Sequence, residues 1–209
     1  MSRIVIAGNG GMPAGAAALI DAADCVVRFN DCRSAGAGGA RTDIVAVCNT
    51  GRPGKAMLGS PAWRDSAPVC GAREIWCVRD PAKFAALRMP LSLTHPELDD
   101  FCDDYTEGFA AWARETGKAH RVIGAACQER LEAELAAHAP APYVVPSSGL
   151  VVIAHLLSAP EHAGDEIVLA GFGHQGWEWH PFAAERAWVE ARLDGHRLSR
   201  IEALLALSV

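Results

Sequence analysis

Four short aliphatic runs, each stopping at glycine or a small polar residue, constrain the fold of this chain more than anything else in it. Ile4 to Ala7 ends at Gly8-Asn9-Gly10-Gly11, and Cys25 to Phe29 ends at Asn30-Asp31. Ile44 to Cys48 runs into Asn49-Thr50-Gly51, and Glu166 to Ala170 into Gly171-Phe172-Gly173. Apolar runs of this length, bounded by turn residues, read as buried strands. Glu74 to Val78 reads as a further strand, and Tyr143 to Val145 as a short extended run. Helical stretches lie between them. Pro13 suits the first turn of a helix over Ala14 to Ala22, and 97–116 and 125–138 carry amphipathic spacing. Leu150 to Leu157 is an apolar helix, and the tail from Pro181 to Leu207 is mostly helical. Alternation of this kind predicts an α/β, Rossmann-like fold, with a mostly parallel sheet and helices on both faces. No repeat or linker divides the chain, so residues 1–209 read as a single domain.

Composition narrows the function. The net charge is −6 and no run of Lys or Arg occurs, so the electrostatic footprint of a nucleic-acid binder is absent and a small molecule or another protein is the expected partner. Cys25, Cys32, Cys48, Cys70, Cys77, Cys102 and Cys127 show no metal-ligand spacing, and read as buried or partly buried thiols of a reducing compartment. The apolar run at Ile4 is too short for a signal segment, and no stretch is long enough for a membrane span, so the cytoplasm is the expected location.

In open α/β sheets ligands bind beyond the carboxyl ends of the strands, so polar residues at those four ends predict a cleft. Gly8-Asn9-Gly10-Gly11 is not a dinucleotide fingerprint, because Pro13 stands at the third glycine position; alone it fits a plain strand-to-helix turn. Pro146-Ser147-Ser148-Gly149 opens a helix, where serine caps the first turn and the backbone N–H groups can hold an anion. His180 and Glu185 form the pair best suited to proton transfer, with the imidazole as base and the carboxylate orienting it. The nearby Trp177 and Trp179 either pack or wall a sugar site. The carboxylates Asp99, Asp100, Asp103 and Asp104 read as a solvated helix face, not a metal site. His155 and His162 flank a helix end without partners. Neither a nucleophile elbow nor a P-loop occurs.

Taken in order, these segments resemble the sialyltransferases. The resemblance rests on Val5-Ile6-Ala7-Gly8-Asn9-Gly10, Val27-Arg28-Phe29-Asn30 and Gly38-Gly39-Ala40-Arg41-Thr42-Asp43. It continues with Pro146-Ser147-Ser148-Gly149, with Asp165 through Gly173, and with a late His-x4-Glu at His180 and Glu185. It spans residues 4–51 and 144–190, about half of the chain, and leaves 60–140 unmatched. The chain is also similar to short soluble bacterial relatives that carry accessory-protein labels. The family's inter-motif cysteines, membrane anchor and separate His-His-Tyr-type motif have no counterpart here.

That likeness implies a metal-independent, inverting glycosyltransferase, moving sialic acid or a related acidic sugar from a CMP-sugar donor to the hydroxyl of a glycan or small-molecule acceptor. Asn9 and Asn30 would then contact the cytidine nucleotide, and Ser147, Ser148 and Gly149 its phosphate or ribose. Gly8, Gly10, Gly171 and Gly173 would admit the nucleotide to the backbone, with Asn49 at a further strand end. His180 would deprotonate the acceptor, and Glu185 would steady the ring. Apart from the likeness, the Gly-rich stretch 32–41 reads as a mobile loop. Besides the donor substrate, no cofactor is expected. A non-catalytic nucleotide- or sugar-binding accessory protein is the alternative, and a Rossmann-type oxidoreductase is a third reading.

Overall fold

The computed structural model describes residues 1–194 and 196–207. Its strands are β1 (Arg3–Ala7), β2 (Cys25–Phe29), β3 (Ile44–Val47), β4 (Glu74–Cys77), β5 (Ala119–Val122), β6 (Glu166–Ala170) and β7 (Leu198–Arg200). They form one seven-stranded sheet in the order β5-β4-β3-β2-β1-β6-β7. Every pairing is parallel, with Ile6 facing Val27 on one side and Leu169 on the other. From β1 the chain winds outward to β5, then returns to lay β6 against the free side of β1. The strand order thus reverses between β1 and β6, the place where neighbouring connections leave a crevice at the carboxyl ends.

The helices are α1 (Ala16–Asp21), α2 (Gly51–Gly59), α3 (Pro61–Arg64), α4 (Ala67–Gly71), α5 (Pro81–Thr94), α6 (Thr106–Glu115), α7 (Ala125–Ala136), α8 (Ser148–Ser158), α9 (Phe182–Glu190) and α10 (Ile201–Leu207). One sheet face, carrying Ile4, Ile6, Val27, Phe29 and Trp76, is covered by α7, α8 and α9. On the other face, α1 and α10 cover Val5, Val26 and Val168, while α6 and Trp63 cover Val45, Val47 and Ile75. Strands buried on both faces explain why the sequence runs are continuously apolar and do not alternate. Helix α8 is apolar almost all round because Leu150, Val151, Val152, Ile153 and Leu156 are all buried.

Several elements differ from the sequence expectation. Strands β5 and β7 take their places at the two sheet edges, where His120, Arg121 and Arg200 interrupt the apolar pattern. Helix α5 forms despite Pro90: Pro81 stands at its start and Asp80 caps it through the N–H of Lys83 at 3.0 Å. The helix expected over 97–116 is shortened to α6. Its acidic approach is irregular because the carboxylates are drawn elsewhere: Asp100 pairs with Arg52 and Asp103 with Arg88, each at 2.8 Å, and Asp104 accepts from the N–H of Thr106 at 3.0 Å. Tyr143 to Val145 joins no strand. All seven cysteines are free; Cys70 is exposed, against expectation, while burial pushes the Cys25 and Cys32 thiols up to about 12.

The Gly-rich loop 32–41, expected to be mobile, has a specific internal anchor. It wraps the guanidinium of Arg28, which is completely buried. Arg28 donates to the carbonyls of Gly38 (2.7 Å), Gly39 (3.1 Å) and Arg41 (3.0 Å), and to the hydroxyls of Ser34 (3.0 Å) and Thr42 (3.1 Å). Asp21 of α1 holds the far end of the loop, accepting from the N–H groups of Ala40 at 3.1 Å and Arg41 at 2.8 Å. Glycine is needed here so that backbone carbonyls can close on a planar donor from several sides.

Candidate functional site

A cavity of about 740 Å³ opens at the β1–β6 switch point. Gly8, Asn9 and Gly10 follow β1, Asn30 follows β2, and Gly171 and Gly173 follow β6; all of them line it. So do Ser147, Ser148 and Gly149 at the start of α8, together with His180 and Glu185. The residues singled out in the sequence therefore converge on one place, with a single exception. Asn49 lies elsewhere, wholly buried. Its Nδ2 donates to the Arg79 carbonyl at 2.9 Å and to Thr106 Oγ1 at 2.7 Å, and its Oδ1 accepts from the Arg79 N–H at 2.9 Å. Asn49 ties β3 to β4 and α6, so its assignment to the ligand site is corrected to a structural one.

Two loops meet at the floor of the cavity. The N–H of Gly8 donates to the Ala170 carbonyl at 2.8 Å, and that of Gly10 to the Gly171 carbonyl at 3.0 Å. A Cβ added at Gly8 or Gly10 would stand 2.6 or 2.5 Å from the Gly171 oxygen. These glycines are thus required by the approach of one loop to the other. Gly171 itself has φ +68, in the left-handed region that favours glycine. Gly173 is exposed and has ordinary room for a side chain.

The polar side chains are held in defined directions. Asn9 donates from Nδ2 to the Phe29 carbonyl at 3.2 Å, while its buried Oδ1 finds no donor among the described residues. Asn30 is the mirror case: its Oδ1 accepts from the Cys48 N–H at 2.8 Å, so the amide nitrogen is the end left over. The ring of His180 donates from Nδ1 to the Val145 carbonyl at 2.8 Å, which leaves Nε2 as a lone-pair acceptor. Burial pushes its pKa down to about 4, helped by the nearby Arg79 guanidinium, so the ring is neutral near pH 7.

Glu185 does not steady that ring. It is 1% exposed, and both of its oxygens are taken by Ser147: Oε1 accepts from the backbone N–H at 2.7 Å and Oε2 from the hydroxyl at 2.6 Å. Ser147 Oγ in turn accepts from the Leu150 N–H at 3.2 Å, capping α8. The expected His180–Glu185 relay is corrected accordingly. The carboxylate fastens α9 to the start of α8, and the imidazole is oriented by a carbonyl. Burial raises the Glu185 pKa, and the Ser147 hydrogen bonds oppose that rise.

The sequence reading left Phe29, Phe172, Arg33 and His174 out of the site, and held Trp177 open between packing and the wall. Phe29 and Phe172 meet edge to face, with ring centroids 6.1 Å apart, and both line the cavity. Trp177 lines it too, stacked on Phe101, whereas Trp179 packs against His95 away from it. Arg33 and His174 complete the charged and titratable lining. His174 has φ +47, and burial, with Arg200 and Arg186 close by, pushes its pKa down to about 4. The only signal for it in the sequence was its place directly after Gly171-Phe172-Gly173.

Comparison with known proteins gives two different answers. No family model matches the chain. The urease operon 23 kDa accessory protein of Rhizobium meliloti (strain 1021) is 63% identical over 198 residues, covering 95% of this chain and 92% of that protein. Among solved structures, a mammalian sialyltransferase superposes with a TM-score of 0.54 at 18% identity, covering 95% of this chain and 68% of that one. A second structure of a mammalian sialyltransferase, in complex with Gal-beta-1-3GalNAc-ortho-nitrophenol, gives 0.54 at 17% identity. At such identities the structural likeness speaks for the fold alone. The accessory-protein relative overturns the expectation of a transferase acting on a CMP-sugar, and favours the non-catalytic alternative. Among the described residues, no helix is long and apolar enough to cross a membrane.

Proposed function

The chain belongs to the family of the urease operon 23 kDa accessory protein, and from that membership we propose that it is a non-catalytic, cytoplasmic accessory protein of a urease system, holding a small nucleotide- or sugar-like ligand in the switch-point cavity. The accessory role rests on the 63% identity across nearly the whole chain. The binding role rests on one observation: groups from three strand ends and one helix start converge on a single polar and aromatic cavity. The unmet acceptor of Asn9 at its wall supports that reading, since an unsatisfied buried carbonyl costs about 1–3 kcal/mol until a donor reaches it.

The same geometry breaks the expected His180–Glu185 relay: the two share no hydrogen bond, both Glu185 oxygens are bound to Ser147, and His180 keeps only Nε2 as an acceptor. Their role here is to shape and polarise the wall. An accessory protein also acts through other proteins, so urease components are the expected macromolecular partners.

The test is genetic and biochemical together. Removing the chain from a urease-positive host should lower urease activity, and the intact chain should restore it. Asn9→Ala, expressed at the same level, should restore it poorly. Full urease activity without the chain would refute the accessory role. Full restoration by Asn9→Ala would remove the link between the cavity and that role.

A further inference from the structure

Within the binding role proposed above, we infer that the cavity takes an uncharged polyhydroxylated ring, a sugar either free or carried by a nucleoside, and discriminates against a phosphorylated one. The inference follows from where charge stands in the site. The start of a helix such as α8 is ordinarily the place for an anion, because its first N–H groups lack intrahelical acceptors and the backbone dipole favours negative charge. Here a carboxylate stands beside that place, bound to the residue that caps it. The Glu185 carboxylate receives the Ser147 N–H at 2.7 Å and the Ser147 hydroxyl at 2.6 Å, both directed to it as an acceptor. A phosphate drawn to Ser148 and Gly149 would stand beside this carboxylate, and their repulsion opposes the pull of the helix start.

Little in the lining offsets that charge. Arg33 is the one cation that lines the cavity among the described residues; it sits exposed and is paired with Asp31 at 3.4 Å. Arg186 donates to the Gly173 carbonyl at 3.1 Å and Arg200 approaches the Phe172 carbonyl at 3.5 Å, and neither lines the cavity. His180 is held neutral and presents a lone pair. What remains suits hydroxyl groups: acceptors at His180 and Asn9, a donor at Asn30, and the rings of Phe29, Phe172 and Trp177 for the apolar face of a sugar or base.

Calorimetric titration of the full chain decides the matter with paired probes: cytidine, uridine and adenosine against their monophosphates, and glucose and N-acetylglucosamine against their phosphates. The expected result is that neutral members bind about tenfold or more tightly than their phosphorylated partners. Glu185→Gln, which keeps the shape and can still bond Ser147, should shrink that ratio toward one. Nucleosides binding without free sugars would assign the ring to a nucleoside, and the converse to a free sugar. A phosphorylated probe that binds the wild-type chain as well as its neutral partner overturns the inference but leaves the cavity a binding site. Failure of every probe to bind overturns both. The wild-type comparison is decisive by itself, so a Glu185→Gln chain that fails to fold would not rescue the inference.

Discussion

Replacing Arg28 with methionine tests whether the Gly-rich loop is built around a buried guanidinium. The side chain is completely buried and makes five hydrogen bonds, three of them to the carbonyls of Gly38, Gly39 and Arg41. Methionine fills most of the volume but donates nothing. The hydroxyls of Ser34 and Thr42 can turn to other acceptors; the three carbonyls cannot. At about 1 kcal/mol for each carbonyl left unmet, the expected loss is about 3 kcal/mol. For a chain of this size, with a urea slope of about 2 kcal/mol/M, the unfolding midpoint should fall by about 1.5 M. Arg28→Lys should recover about half of that, because an ammonium cannot reproduce the planar fork. Hydrogen exchange should rise at Ala35, Gly36, Gly38 and Gly39, whose N–H groups bond within the loop. An Arg28→Met chain within about 1 kcal/mol of wild type, with unchanged exchange over the loop, would refute the argument.

Gly10→Ala places a Cβ about 2.5 Å from the Gly171 carbonyl oxygen, and should cost about 1–3 kcal/mol of stability and weaken ligand binding, whereas Gly11→Ala, with open space around it, should do neither; thermal unfolding and calorimetry compare the two. Acid should destabilise the fold through His180. The folded ring titrates at about 4 against an ordinary 6.5, so the stability it contributes is complete above about pH 6.5 and lost as pH falls toward 4. Between about pH 7 and pH 4.5 the loss is roughly 2 kcal/mol, and His180→Gln should remove that component from the urea-unfolding profile; parallel profiles for the two chains would contradict it.

The interior of the sheet was legible because a strand covered on both faces writes itself as an unbroken apolar run, as Ile4 to Ala7 and Glu166 to Ala170 do. The edges were not. In β5, Ala119-His120-Arg121-Val122 is only partly covered, and in β7, Leu198-Ser199-Arg200 holds a single apolar residue, so neither carries more apolar signal than a loop. The position of the cavity followed from polar residues at strand ends, yet the same rule misplaced Asn49, since a strand-end amide can equally be buried to bond a neighbouring strand and helix. The pairing of Glu185 was hidden for a different reason. Its partner Ser147 lies 38 residues away in sequence, while His180 lies close by, so proximity in the chain suggested the wrong contact. Function was the least legible, because motifs that fix a nucleotide-sugar fold also fix the loops that let the fold close.

The β1–β6 junction has a consequence for the order in which the molecule is made. The Arg3–Glu166 ion pair across it joins residues 163 apart, and every β1–β6 hydrogen bond spans a similar interval. During synthesis, β1 to β5 can pair with their sequence neighbours as they emerge, while the inner edge of β1 stays open until β6 is released. Contacts of such long range form late and slowly. The cavity therefore comes into being only once β6 and α9 have joined the sheet, and a ligand bound there reports that this long-range pairing has been made.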